Sequence, residues 1–306
     1  MALSPQWRWK LDRWRERIAG VFRKPESERR PRLCPACGTL VGASATKCHE
    51  CGSSLTFSIA AASRSLSGLL PASSPATYVI LGLNCFMFGV TLMASMTVGG
   101  GLQSIMSVSN QVLLRLGARQ SYLLIVEGEL WRLVLPIFLH AGLLHFLFNS
   151  MVLMDIGPTV EEVYGSARYL FFYVVTGIFS FIVSTGWNVF SAQGRGISIG
   201  ASGALMGLVG LMIAITRRRG GAYMQMIRGR LIGWIVIIFL IGFFFNADNA
   251  AHAGGLAAGF VLGSVMNDRE PVNARERNRA YALGWLAAFI VVGSFAAMLL
   301  GYFRTT

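Results

Sequence analysis

The sequence predicts an all-α polytopic membrane protein with a small cysteine-rich module ahead of it. Three observations predict this. Of 306 residues, 54% are hydrophobic and 13% charged, which is too apolar for a soluble domain of this length. Seven apolar runs, roughly 76–97, 133–153, 168–190, 199–216, 231–247, 249–267 and 281–303, each approach the ~20 residues that a spanning helix needs. Four of the five cysteines lie between Cys34 and Cys51, ahead of the first run.

Residues 1–30 form a basic lead. Trp7, Leu11, Trp14, Ile18 and Phe22 recur at helical spacing, with Arg8, Lys10, Arg13, Arg15 and Arg17 largely on the other faces. Two readings stay open: a basic amphipathic helix lying on an anionic membrane surface, or a disordered basic lead. No signal-peptide core is expected before residue 76.

Residues 31–56 carry Cys34-Pro35-Ala36-Cys37-Gly38, nine residues, then Cys48-His49-Glu50-Cys51-Gly52. Two Cys-x-x-Cys pairs, each followed by glycine, are the knuckles of a zinc ribbon. Four thiolates close a tetrahedral structural site around Zn2+, and the glycines permit the tight bends. His49 is a bystander, since four sulfurs saturate the ion. The competing reading, a pair of disulfides, fails if the segment faces a reducing cytosol. The ribbon is a folding unit that implies an unidentified cytoplasmic partner and no chemistry of its own.

Residues 57–75 are rich in Ser, Ala, Gly and Pro, which suits a linker. Orientation comes from the loops. The first 75 residues carry twelve Lys/Arg, the loop after the fourth run holds Arg217, Arg218, Arg219, Arg228 and Arg230, and the loop after the sixth holds Arg269, Arg275, Arg277 and Arg279. Seven alternating spans put all three on one side, so that side is cytoplasmic, with the N-terminus and the ribbon. This also accounts for the net charge of +13, so no nucleic-acid partner is expected; that would need a clustered basic face on a soluble domain. Residues 98–132 lie outside, and Val112-Leu113-Leu114 and Leu123-Leu124-Ile125-Val126 suit a loop partly embedded in the outer leaflet.

This topology collects polar residues at one depth. Ser202 sits near the outer end of the fourth span, His252 near that of the sixth, and His140, His145 and Asn149 on the second. A lone membrane serine usually back-bonds or lets helices approach, and a lone membrane histidine is usually structural. Ionisable residues that converge within a bilayer mark function instead. Ser202 and His252 supply a nucleophile and its general base. Gly200, Ala201 and Gly203 leave the hydroxyl unobstructed, and Gly255-x-x-x-Gly259 has the spacing for close packing of the two helices. His145 and Asn149, four apart on one helix face, can direct N–H groups at a developing oxyanion, joined by the Ser202 backbone N–H at a helix start. His140 belongs to the start of the second span and not to the chemistry. No carboxylate is well placed as a third member. Asp248 lies in an exposed turn, so a Ser–His dyad is expected, with no catalytic cofactor.

Glu129-Leu130-Trp131-Arg132, His140-x4-His145-x3-Asn149, Gly200-Ala201-Ser202-Gly203 and Ala251-His252-Ala253-Gly254-Gly255 with Gly259 occur in this order. Together they resemble the rhomboid intramembrane serine proteases over roughly residues 76–267. The resemblance implies a six-helix catalytic core with a Ser202–His252 dyad and an oxyanion hole of His145, Asn149 and the Ser202 N–H. It implies a site open to water from outside in a bacterial inner membrane. It implies substrates that are single-span membrane proteins reaching the site laterally past the fifth helix. Residues 268–306, a cytoplasmic loop and a seventh transmembrane helix, lie beyond that core. Met206 stands where many members carry an aromatic residue under the catalytic histidine.

Two other functions compete. A rhomboid-like pseudoenzyme would bind membrane clients without cleaving them, but such proteins usually lose the serine or the histidine, and this chain keeps both. A small transporter would favour paired charges deep in the second, fourth and sixth spans; only Asp155, near a cytoplasmic end, is charged there.

Overall fold

The structure is a computed structural model that describes residues 31–34, 37–52, 54–55, 73–191, 196–269 and 274–304. The amphipathic lead of residues 1–30 and most of the 57–75 linker lie outside the described residues. The chain divides into two compact units, Met1–Ala62 and Ser63–Thr306.

In the first unit, β1 (Arg32–Leu33) pairs antiparallel with β2 (Leu40–Val41). Each Cys-x-x-Cys turn closes on a glycine in the left-handed region, Gly38 at φ 80° and Gly52 at φ 68°. Their N–H groups donate to the carbonyls of Cys34 (2.8 Å) and Cys51's neighbour in the second knuckle, Cys48 (2.9 Å). A residue with a Cβ is strained there, which is why glycine follows each pair.

The second unit is helical. Seven long helices occur among its described residues: α1 (Pro75–Ser95), α4 (Leu143–Tyr164), α5 (Ser166–Phe190), α6 (Ser202–Arg219), α7 (Gly221–Phe244), α8 (Asn249–Val265) and α9 (Ala274–Arg304). Between α1 and α4 lie short α2 (Asn110–Arg115), β3 (Arg119–Gln120) and α3 (Ser121–Ile125), then two 3-10 turns at Leu130–Leu133 and Leu135–Phe138. Strand β4 (Ile197–Ser198) precedes α6 and pairs antiparallel with β3, Arg119 opposite Ser198. Five of the seven are long and apolar enough to cross a membrane: those beginning at Pro75, Leu143, Ser166, Gly221 and Ala274. The other two, α6 and α8, have 18 and 17 residues and form the centre of the bundle.

Close backbone approach builds that centre. A Cβ added at Gly255 would stand 1.9 Å from the Gly203 carbonyl, one at Gly259 1.8 Å from that of Gly207, and one at Gly263 2.6 Å from that of Leu211. The expected Gly255-x-x-x-Gly259 contact is therefore one stretch of a longer glycine seam along α6 and α8. On its other side α6 meets α5: a Cβ on Gly207 would stand 2.2 Å from Thr176. Elsewhere, Glu161 of α4 caps α1, accepting from the N–H groups of Ala76 (2.9 Å) and Thr77 (2.8 Å) and from the Thr77 hydroxyl (2.7 Å). A buried carboxylate thus satisfies the unpaired donors of a helix start.

Two spans differ from expectation. The second helix begins at Leu143 and not near 133, because Pro136 and the extended Leu139 break the chain into 3-10 turns first. The apolarity of this stretch serves the interior, since Leu135, Ile137 and Leu139 are wholly buried. The fifth helix begins at Gly221, so Arg228 and Arg230, expected in a loop, lie on it. Gly220 and Gly221, at φ 64° and 86°, make the turn in almost no length. Arg230 forms an ion pair with Asp155 of α4. In the α1–α4 connection, Val112, Leu113 and Leu124 are buried while Ile125 and Val126 are exposed, leaving an apolar edge outward.

Candidate active site and metal centre

Ser202 is the first residue of α6, with Ala201 as its N-cap. The turn before it is held by Gly200, at φ 118°, whose N–H donates to the Pro136 carbonyl at 2.8 Å. Only glycine takes that φ without strain, and a Cβ there would stand 2.7 Å from His145 Nε2. From the neighbouring α8, His252 reaches across the seam, and its Nε2 lies 2.8 Å from Ser202 Oγ. A hydroxyl donating to a neutral imidazole can pass its proton to it as it attacks a carbonyl.

His145 and Asn149, in the first two turns of α4, converge on Gly200: an added Cβ would meet Nε2 of the first at 2.7 Å and Nδ2 of the second at 3.7 Å. The Ala141 N–H donates to His145 Nδ1 at 3.3 Å, so Nδ1 is the acceptor nitrogen and Nε2 carries the proton. Asn149 is buried, and its Nδ2 has no protein acceptor among the described residues. Two side-chain donors therefore point at one spot beside Ser202. His140 precedes α4, is wholly buried, and stands edge-on to His145 with ring centroids 5.3 Å apart. The expected place of His140 on the helix itself is corrected, because α4 starts three residues later.

Ser202, His252, His145 and Gly200 line a cavity of about 940 Å³, whose walls include Met106, Phe148, Ile197, Ile241 and Phe245. Asp248 is at its edge but not in an exposed turn. Its side chain is 21% exposed and ion-paired with Arg119 at 3.0 Å. The same carboxylate accepts from the Ser184 hydroxyl and from the Ala251 N–H at 2.9 Å, capping α8. Burial pushes the Asp248 carboxyl up, but the hydrogen bonds from Ser184 and Ala251 and the Arg119 charge outweigh it and hold the group below its ordinary value.

In the first unit the sulfurs of Cys34, Cys37, Cys48 and Cys51 lie within 4.8 Å of one another. Cys34 and Cys51 are 3.7 Å apart, Cys37 and Cys48 3.6 Å. These separations are too long for a disulfide and match the ~3.8 Å edge of a tetrahedron with ~2.3 Å metal–sulfur bonds. The four cysteines fit a metal ion, and His49 is not among them.

Residues 127–269 match the Rhomboid domain family. The chain is 30% identical over 215 residues to RHOMBOID-like protein 6, mitochondrial, of Arabidopsis thaliana, covering 64% of this chain and 67% of that protein. It is 35% identical over 193 residues to Rhomboid protease GluP of Bacillus subtilis (strain 168), covering 62% and 34% respectively. With RHOMBOID-like protein 5 of Arabidopsis thaliana the identity is 40% over 154 residues, covering 50% and 48%. This chain belongs to the rhomboid family. It is an integral membrane protein, and it spans about a third to a half of the length of the last two relatives.

The rhomboid domain brings together Ser202, His252, His145 and Asn149, all read from the sequence. Glu129 and Arg132, read only through the resemblance, form an ion pair, and the Arg132 guanidinium also donates to the carbonyls of Leu114 (2.7 Å) and Ala118 (3.0 Å). That arginine pins the α1–α4 connection. Met206 is buried in α6, but the aromatic ring on His252 is Phe239 of α7, edge to face at 6.0 Å. Two residues were missed. Asn249 places Oδ1 3.0 Å from His252 Nδ1; its spacing of three from the histidine on one helix was the available signal. Arg119, 1% exposed, joins β3 to Asp248, to Ser184 and to the Gly196 carbonyl at 3.4 Å. No local pattern signals it.

Proposed function

We propose that this chain is an intramembrane serine endopeptidase that cuts membrane proteins in or near their transmembrane segments by a Ser202–His252 dyad. The observation that carries the reading is the 2.8 Å contact between Ser202 Oγ and His252 Nε2, within a cavity toward which two further donors point. Ser202 Oγ attacks the scissile carbonyl carbon as His252 takes its proton. The carbonyl oxygen becomes an oxyanion, held by His145 Nε2–H, Asn149 Nδ2–H and the Ser202 N–H. His252 returns the proton to the leaving amine, and a water activated by the same base hydrolyses the acyl-enzyme. A substrate span of weak helical propensity unwinds at lower cost to present its carbonyl.

The division proposed for the chain is a ribbon at 31–56, a linker at 57–75, a catalytic core at 76–267, and a loop and last helix at 268–306. The basic segments support an N-terminus and ribbon in the cytosol, with the site open to the outside of a bacterial inner membrane.

The test uses the purified full chain in detergent with a single-span substrate and a fluorophosphonate probe. Wild type is expected to cleave and be labelled, and Ser202→Ala to lose both by at least about 1,000-fold. Equal behaviour of the two proteins sinks the protease reading, and binding of the substrate without cleavage by wild type would favour a pseudoenzyme. For the ribbon, Cys34, Cys37, Cys48 and Cys51 would hold one structural Zn2+. Metal analysis is expected to give one zinc per chain, lost when Cys34 and Cys37 become Ser; folded wild type without zinc refutes the assignment.

A further inference from the structure

A dyad works only if His252 keeps its proton on Nδ1 and its Nε2 lone pair toward Ser202. Asp248, the nearest carboxylate in sequence, is engaged by Arg119, Ser184 and the Ala251 N–H. The group facing Nδ1 is the Asn249 side chain, with Oδ1 at 3.0 Å. The other end of that amide decides its orientation. Its Nδ2 lies 3.3 Å from the Phe239 carbonyl, which can only accept, so the nitrogen must face Phe239 and the oxygen His252. An amide oxygen also only accepts, so Nδ1 carries the proton and Nε2 is left to accept from Ser202.

The anchor of this amide, Phe239, and the glycine packed against it, Gly242, both belong to α7. A Cβ at Gly242 would stand 2.0 Å from Asn249 Oδ1, so the missing side chain there makes the room. The Phe239 ring meets His252 edge to face. We propose that Asn249 is a positioning residue for the base, and that through Phe239 and Gly242 it ties the orientation of His252 to the seating of α7 against α8. This rests on the dyad reading. A displaced α7 removes the amide's anchor and the aromatic edge together, so the base is correctly held only while α7 is in place.

The test measures kcat, KM, their pH dependence and thermal denaturation for wild type, Ser202→Ala, Asn249→Ala and Asn249→Asp in the full chain. Asn249→Ala is expected to lower kcat by about 10- to 100-fold, the scale for a reacting group held about 1 Å out of place, with KM little changed. Asn249→Asp keeps an acceptor for Nδ1 and recovers most of that loss. Its added carboxylate stabilises the imidazolium, so the acid limb of its kcat/KM profile moves to higher pH. The other titratable and charged groups facing His252, namely His145 from α4 and Asp248 with Arg119, are the same in both variants. If the two variants lose activity alike, in step with a lower denaturation midpoint and with unmoved pH limbs, Asn249 is merely structural and the proposal falls. Should Asn249→Ala not fold, the Asn249→Asp pH profile decides alone. Wild-type rates in Asn249→Ala overturn this inference only, whereas wild type no better than Ser202→Ala overturns the dyad and this inference with it.

Discussion

Two of the helices packed on α8, namely α6 and α7, are held in opposite ways. Against α6, the contact is backbone on backbone, and 13 of the 18 residues of α6 are buried. Against α7 the contact is made by side chains, chiefly Phe239 and Asn249, and only Leu231, Ile238 and Gly242 of the 24 residues of α7 are buried. The proposed nucleophile and base thus ride on a pair of helices in backbone contact. The orientation of the base depends on one of the most loosely seated. Distance across the dyad and rotation of the imidazole are set by different parts of the molecule, and substitutions can separate them.

The largest expected effect is on the seam. Gly259→Val puts a branched side chain where even a Cβ would come within 1.8 Å of the Gly207 carbonyl. The clash is with backbone, so no rotamer change relieves it and the helices must part. Overpacking typically costs about 1–3 kcal/mol, and a shift of about 1 Å in the Ser202–His252 distance costs on the order of 100-fold in rate. Peptidase activity should fall by at least that factor, with a lower denaturation midpoint in detergent. Full activity in Gly259→Val would mean that the seam does not set the dyad distance.

What was legible in the sequence follows this division. Ser202, His252, His145 and Asn149 stand in short local patterns, and alternation of the spans suffices to bring those patterns to one depth. The four ribbon cysteines are legible because knuckle geometry is local too. The start of α4 was not legible, since hydropathy does not distinguish a run buried inside a protein from one facing lipid, and Leu135, Ile137 and Leu139 are of the first kind. The start of α7 was hidden by Arg230, which reads as a loop residue until Asp155 of α4 supplies its partner. Arg119 meets Asp248 across 129 residues of chain, a pairing that no window along the sequence contains. Asn249 stands beside Asp248, the carboxylate that the sequence reading sets aside as a third member, and only the geometry shows that the amide faces the histidine.

The smallest effect sharpens the contrast from the other side. Gly229 and Gly233 lie within α7, and a Cβ added at either meets nothing within 4 Å. Glycine in a helix interior is less favourable than alanine by about 0.8–1.0 kcal/mol. Gly233→Ala should therefore raise the denaturation midpoint slightly, or leave it unchanged where lipid or detergent already orders the helix. Because the new methyl touches neither Phe239 nor Asn249, the seating of α7 and the hold on His252 are preserved, and kcat/KM should stay within about twofold, less than ~0.5 kcal/mol in the barrier. A large loss of activity in Gly233→Ala would show that α7 is packed on this face during turnover by a surface that the resting arrangement does not bring to it. The glycines of α7 would then be as constrained as those of the seam, and the division between a rigid and a loosely held flank of α8 would not survive.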